Sequence, residues 1–217
     1  DGGEMASMAF HPDGRQVAVA RGALGRADVW LLDGTRSSRI SFDGKGHDYP
    51  QWSPDGERIL HVSLTPGSIE FQVSAANGAG EPEVFLGSAQ PKFPGSWSAD
   101  GRWLFYFTAS PETRGDLAVV SMTGERKSTV LLATPYFEVW PRVSPDGRWV
   151  AYSSSESGRG EAYVRPFVDP GPGGGAPRFG SGRWQVSIAG GIFPTWSRDG
   201  RELFFIGPAG EMMVSTI

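Results

Sequence analysis

Five times along its 217 residues the chain repeats one short pattern, an apolar residue, usually Ser, usually Pro, then Asp-Gly and a polar residue. The copies are Phe10-His11-Pro12-Asp13-Gly14-Arg15, Trp52-Ser53-Pro54-Asp55-Gly56-Glu57, Trp97-Ser98-Ala99-Asp100-Gly101-Arg102, Val143-Ser144-Pro145-Asp146-Gly147-Arg148 and Trp196-Ser197-Arg198-Asp199-Gly200-Arg201. Successive Asp residues lie 42, 45, 46 and 53 positions apart. Each copy suits a tight turn, because Pro presets φ, Asp bonds its own backbone and Gly accepts positive φ without steric cost.

Short segments rich in β-branched and aromatic residues follow each turn, at 16–20, 59–63, 104–108, 150–154 and 203–206. Third strands are expected at 27–32, 69–74, 116–121, 161–167 and 212–216. Outer strands are expected at 38–42, 83–86, 128–133 and 183–188. No stretch combines a 3.6-residue apolar period with capping signals, so the expected class is all-β. A period of 40 to 50 residues with only strand-like pieces inside it is the pattern of a β-propeller. One domain over 1–217 is expected, with four-stranded antiparallel blades at about 4–43, 48–87, 92–133, 138–189 and 192–217. The last lacks its outer strand. The chain opens on Asp1-Gly2-Gly3-Glu4, without Met, and is expected to be part of a larger propeller. Residues 168–182, rich in Gly and Pro, read as a surface loop inserted into blade four.

Eight Trp and thirteen Phe call for a real core, and 31 Gly with 17 Pro fit many tight turns. The net charge of −4 offers no basic footprint, so nucleic acid is not an expected partner. No apolar run reaches the length of a spanning helix, and direct membrane insertion of this segment is not expected. The absence of Cys excludes disulfides and thiolate chemistry, and suits a reducing or an oxidising compartment.

The motifs of catalysis are missing. There is no kinase Gly-rich loop, His-Arg-Asp or Asp-Phe-Gly segment, and no Gly-x-Ser-x-Gly elbow. His11, His47 and His61 are too scattered in sequence for a recognisable ligand spacing, and no Asp-x-Asp-x-Asp-Gly loop occurs. The chain is therefore expected to have no catalytic residues, no metal site and no cofactor. The repeated Asp residues read as turn formers, and Trp52, Trp97 and Trp196 as fillers between neighbouring sheets.

In a propeller the loops leading into the inner strands gather on the face around the axial funnel, opposite the Asp-Gly turns. The candidates there are His47, Asp48 and Tyr49, Lys92 and Phe93, Glu138 and Trp140, and Phe193. Four of these runs end in aromatic-Pro: Tyr49-Pro50, Phe93-Pro94, Trp140-Pro141 and Phe193-Pro194. Aromatics interleaved with charged groups suit a protein, peptide or small-molecule ligand, held by stacking and directed polar contacts. The alternative is that each aromatic-Pro pair only locks the start of an inner strand.

The repeat Pro-x-Trp-Ser-Pro-Asp-Gly followed by an apolar strand resembles the WD40-like repeats of the periplasmic Tol translocation propeller and of prolyl-oligopeptidase-type peptidases. Over about 136–217 the likeness tightens. Trp140 to Tyr152, Glu161 to Phe167, Arg183 to Ser187, Gly190-Gly191 and Trp196 to Phe205 resemble the C-terminal propeller of bacterial serine/threonine protein kinases. That resemblance implies a non-catalytic sensor or binding domain of a larger, membrane-tethered kinase, on the periplasmic or extracytoplasmic side. The other resemblances imply a peptidase's gating propeller or a soluble Tol-like scaffold. The pattern is broken at Phe10-His11, Ala99 and Arg198, where Trp-Ser, Pro and Pro are usual.

Overall fold

The computed structural model describes residues 5–23, 25–88, 90–171 and 173–217. Residues 1–4, where the first blade and the opening turn were expected to start, and Pro172 of the expected loop lie outside the described residues. The chain divides into two compact units, Asp1–Phe93 and Pro94–Ile217.

The first unit contains two four-stranded antiparallel sheets. One orders β1 (Met5–Phe10), β2 (Gln16–Arg21), β3 (Asp28–Asp33) and β4 (Arg36–Arg39); the other orders β5 (Gly46–Trp52), β6 (Arg58–Thr65), β7 (Ser68–Ala75) and β8 (Glu83–Ser88). β4 begins two residues earlier than expected. Gly34, at φ 56°, lets a two-residue hairpin pair Asp33 with Arg36. Ala18, Val29, Leu31, Ile40, Trp52 and Ile59 form one apolar seam between these sheets. The Trp52 indole anchors that seam by donating to the Ala9 carbonyl at 3.1 Å.

The third sheet orders β9 (Lys92–Trp97), β10 (Trp103–Thr108), β11 (Asp116–Ser121) and β12 (Ser128–Leu132), and the unit boundary falls inside β9. The fourth contains β13 (Glu138–Val143), β14 (Trp149–Ser154) and β15 (Glu161–Val168), whose outer edge is shared by β16 (Arg178–Phe179) and β17 (Trp184–Gln185). The expected outer strand at 183–188 is thus shorter. Part of the expected loop is strand, because Arg178 and Phe179 return to pair with Val168 and Phe167. Gly180 to Gly182 separate the two short strands. The fifth sheet has three strands, β18 (Ile192–Trp196), β19 (Glu202–Ile206) and β20 (Met212–Thr216).

Phe105, Val119, Val143, Val150 and Phe167 join the third sheet to the fourth; Ala151, Ala162, Val164, Leu203 and Phe205 join the fourth to the fifth. Trp196 repeats the role of Trp52, its indole donating to the Arg142 carbonyl at 2.9 Å. A side chain at Gly95 would collide with the Pro141 carbonyl, so this glycine permits the close approach of β9 to β13. No helix occurs among the described residues.

The Asp-Gly turns share one hydrogen-bond plan. In the second, the Asp55 carboxylate accepts from the Ser53 hydroxyl at 2.5 Å and from the Glu57 amide at 3.0 Å, while Ser53 Oγ accepts from the Arg58 amide at 3.0 Å. Ser98-Asp100, Ser144-Asp146 and Ser197-Asp199 repeat it. The Gly at each turn sits at φ between 71° and 76°. These donors, the Ser53 hydroxyl foremost and then the Glu57 amide, hold the Asp55 carboxyl below its ordinary pKa. The five carboxylates are turn formers.

Candidate functional site

Opposite ends of the inner strands carry the aromatic-Pro pairs, and there the backbone departs from regular pairing. The ladder shifts between Asp48 and Gln51, between Val139 and Arg142, and between Ile192 and Thr195. Each shift brackets an aromatic-Pro pair whose Pro cannot donate to the ladder. The aromatic residue is left-handed in all three, with φ 53° at Tyr49, 59° at Trp140 and 54° at Phe193. Bulky residues avoid this region, so three repeats of it form a built bulge that re-aims the ring. A serine hydroxyl of the preceding sheet receives the bulged amide twice, Tyr49 N–H donating to Ser7 Oγ at 3.0 Å and Phe193 N–H to Ser153 Oγ at 3.2 Å. Phe93-Pro94 departs from the plan. Its Trp97 stands one residue further along, the extra position being filled by Gly95.

In the first unit the Tyr49 and Phe93 rings meet edge to face, centroids 5.4 Å apart. Both are partly exposed, and burial together with the Asp48 charge raises the Tyr49 phenol's pKa. Their polar neighbours turn inward. Asp48 is buried and accepts from the Tyr49 amide at 2.7 Å and from the Ser7 hydroxyl. Lys92 is also buried, and its Nζ has no hydrogen-bond partner among the described residues. Burial lowers its pKa against the opposing charge of Glu70.

His47 is buried and does not face solvent. Its Nε2 lies 2.6 Å from the Asp43 carboxylate, and its Nδ1 lies 3.1 Å from Nδ1 of His61, whose Nε2 lies 2.9 Å from Ser74 Oγ. Two of the three histidines that looked scattered in sequence therefore adjoin in a buried chain, Asp43–His47–His61–Ser74, while His11 packs edge to face on Trp52. Asp43, His61 and Ser74 were not among the candidates. Among the described residues no three His, Asp or Glu side chains are placed so that they could hold a metal ion together.

In the second unit Trp140 sits between Phe107 and Phe193, with centroids 4.8 and 5.0 Å away. Phe193 is exposed and Trp140 half-buried. Glu138 is buried. One of its oxygens, Oε1, accepts from Thr134 Oγ1 at 2.6 Å and Ser154 Oγ at 3.3 Å, while Oε2 has no partner among the described residues. Burial raises its pKa, which those two hydroxyls oppose. A second buried carboxylate, Glu161, was missed by sequence reasoning. It is fully satisfied, by Arg159 Nε at 2.8 Å, the Gly190 amide at 3.0 Å and the Ser187 hydroxyl, and its role is to tie the start of β15 to the Gly190-Gly191 segment.

The chain is an all-β protein of the β-propeller class with five blades, the last of three strands. Its fold is similar to that of a TolB-type protein of Agrobacterium tumefaciens, with a TM-score of 0.77 at 19% identity, over 94% of this chain and 70% of that one. In sequence it is 36% identical over 97 residues to Tricorn protease homolog 1 of Streptomyces coelicolor (strain ATCC BAA-471 / A3(2) / M145), a match covering 43% of this chain. It is also 30% identical over 155 residues to the uncharacterized peptidase YuxL of Bacillus subtilis (strain 168), covering 67% of this chain. These matches span only 9% and 21% of the two relatives' own lengths. No protein-family model matches the sequence. No helix among the described residues is long and apolar enough to cross a membrane.

Proposed function

We propose that this chain is a non-catalytic binding propeller of a larger bacterial protein, and that it captures a protein, peptide or small-molecule ligand through the aromatic-Pro ends of its inner strands. The observation that carries the proposal is the repeated left-handed conformation of Tyr49, Trp140 and Phe193. Strain of about 1 kcal/mol or more at each bulky residue persists only where the surroundings over-determine it, and it collects at ligand clamps. Lys92 and Glu138 lie buried behind these rings. His47 and Asp48 act from behind, Asp48 by holding the Tyr49 amide.

The test is enrichment of a displayed peptide library on the protein. Changing Tyr49 and Trp140 together to Ala is expected to weaken capture of the enriched peptide at least about tenfold, the worth of two lost aromatic anchors. Thermal unfolding should shift little. Equal capture by the variant would remove these residues from the site.

Two parents are carried forward. The motif likeness over 136–217 favours a sensor propeller of a membrane-tethered serine/threonine kinase, facing the extracytoplasmic side. The two curated relatives, both named as peptidases, favour a propeller that gates a hydrolase. Reading the surrounding gene separates them: a kinase domain and spanning helix belong to the first, a Gly-x-Ser-x-Gly elbow on an α/β segment to the second.

A further inference from the structure

The residue before Trp52, Trp97, Val143 and Trp196 is polar in each of these four blades: Gln51, Ser96, Arg142 and Thr195. Only in the fourth blade does it carry a charge. Arg142 stands two residues after Trp140 on β13, about 7 Å further along the inner strand.

Arg142 pairs with Ala151, and Ala151 packs into the seam with the fifth sheet. Cross-strand partners share a face, so the Arg142 side chain leaves β13 toward the fifth sheet. Its Nη1 nevertheless donates to the Gly95 carbonyl of β9, in the third sheet on the opposite side. β14 closes one edge of β13, so the side chain reaches Gly95 around the free edge. In a propeller that edge faces the axial channel. The guanidinium thus lies along the channel wall, largely enclosed by protein and still partly exposed.

No carboxylate among the described residues pairs with it. Burial alone lowers its pKa, and a guanidinium stays charged regardless. Gly95 takes one of its five N–H donors, and the others have no protein acceptor among the described residues. Its neighbours in sequence differ: Arg102 meets Asp100 and Asp169, Arg148 meets Asp146, and Arg159 meets Glu161. Arg142 is a cation held in a confined place without its counter-charge, an arrangement that costs stability unless an anion joins it.

We propose that Arg142 anchors a carboxylate of the captured ligand, so that the aromatic-Pro ends take acidic peptides, through an Asp or Glu side chain or a free C-terminus. This rests on those ends being the binding face. The Nε–H and Nη2–H of one guanidinium form a fork that a carboxylate fills with two parallel hydrogen bonds. One carboxylate also balances one guanidinium, whereas a phosphate dianion would bring surplus charge to a chain of net charge −4.

Four blocked tripeptides are the probes: acetyl-Phe-Gly-Glu-amide and its Gln twin, and acetyl-Phe-Gly-Gly as the free acid and as the amide. Binding is followed by NMR at the Trp140 indole and Arg142 Nε–H groups. An acid should bind at least about tenfold more tightly than its neutral twin, the worth of a hydrogen bond to a charged group, and the pair that shows this identifies the source of the carboxylate. Arg142→Gln should remove the preference without changing affinity for the neutral peptides; Gln51 occupies the same position in the second blade, so the fold admits it. Arg142→Lys keeps the charge and loses the fork, and should keep only part of the preference. Equal binding of both acids and their twins to the unaltered protein, or a preference that survives Arg142→Gln, overturns the proposal and leaves the aromatic-Pro ends as the binding face. Failure of all four peptides to shift the Trp140 signal overturns both.

Discussion

His61 is buried completely, and burial foremost, then the neighbouring His47, pushes its pKa down to about 3 against the opposing charge of Asp43. The neutral ring then donates at one nitrogen and accepts at the other. An order that satisfies every member has Ser74 Oγ–H donating to His61 Nε2, His61 Nδ1–H to His47 Nδ1, and His47 Nε2–H to Asp43. A folded-state pKa below the unfolded value of 6.5 means that the unfolded chain binds the extra proton first. This contribution is complete above pH 6.5 and is lost as pH falls toward 3. Between pH 6.5 and 5 the loss approaches about 2 kcal/mol. Urea unfolding across that range should show a clearly shallower pH dependence for His61→Gln than for the unaltered protein; identical slopes would contradict a neutral His61. Sequence did not reveal this pair, because a fourteen-residue separation carries no helical or metal-ligand spacing. Only the register of β5 on β6, which sets His47 opposite Ser63, makes His61 its diagonal neighbour.

At the level of elements, the turns recur five times and the aromatic-Pro pairs four times, three of them as bulges, yet they differ in how openly they were written. Asp-Gly states its geometry in residue types, since only Gly takes φ near 74° without strain, and the strands on either side followed from it. Gly147→Ala meets no atom within 4 Å, so its cost is conformational alone, about 1 kcal/mol in chemical unfolding. Ser144→Ala should cost a similar ~1 kcal/mol by leaving the Trp149 amide and Asp146 without their partner. Equal stability of either variant would show the turn plan to be incidental. Aromatic-Pro, in contrast, announced only a constrained start to a strand. Residues before Pro favour extended backbone, and the left-handed φ at Tyr49, Trp140 and Phe193 is imposed by the bulge and the flanking sheet. The outer edge of blade four was misjudged for a related reason: a Gly/Pro-rich segment reads as loop, although Arg178 and Phe179 find a partner in β15.

For the whole chain, class and blade count were legible because one motif repeats at a nearly constant period, which a single sequence displays without help. The candidate residues were legible as positions and less so as roles. Tyr49, Phe93, Trp140 and Phe193 do present rings near the surface, whereas His47, Asp48, Lys92 and Glu138 are buried behind them. Burial of that kind depends on which neighbour each strand meets, a long-range fact that no local pattern carries. The central claim is that recognition belongs to the aromatic-Pro ends and that the Asp-Gly turns only build the blades. Hydrogen exchange of the protein with and without an enriched peptide tests it most directly. Added protection is expected over 46–52, 138–143 and 192–196, whereas protection confined to 53–58, 98–103 and 144–149 would contradict it.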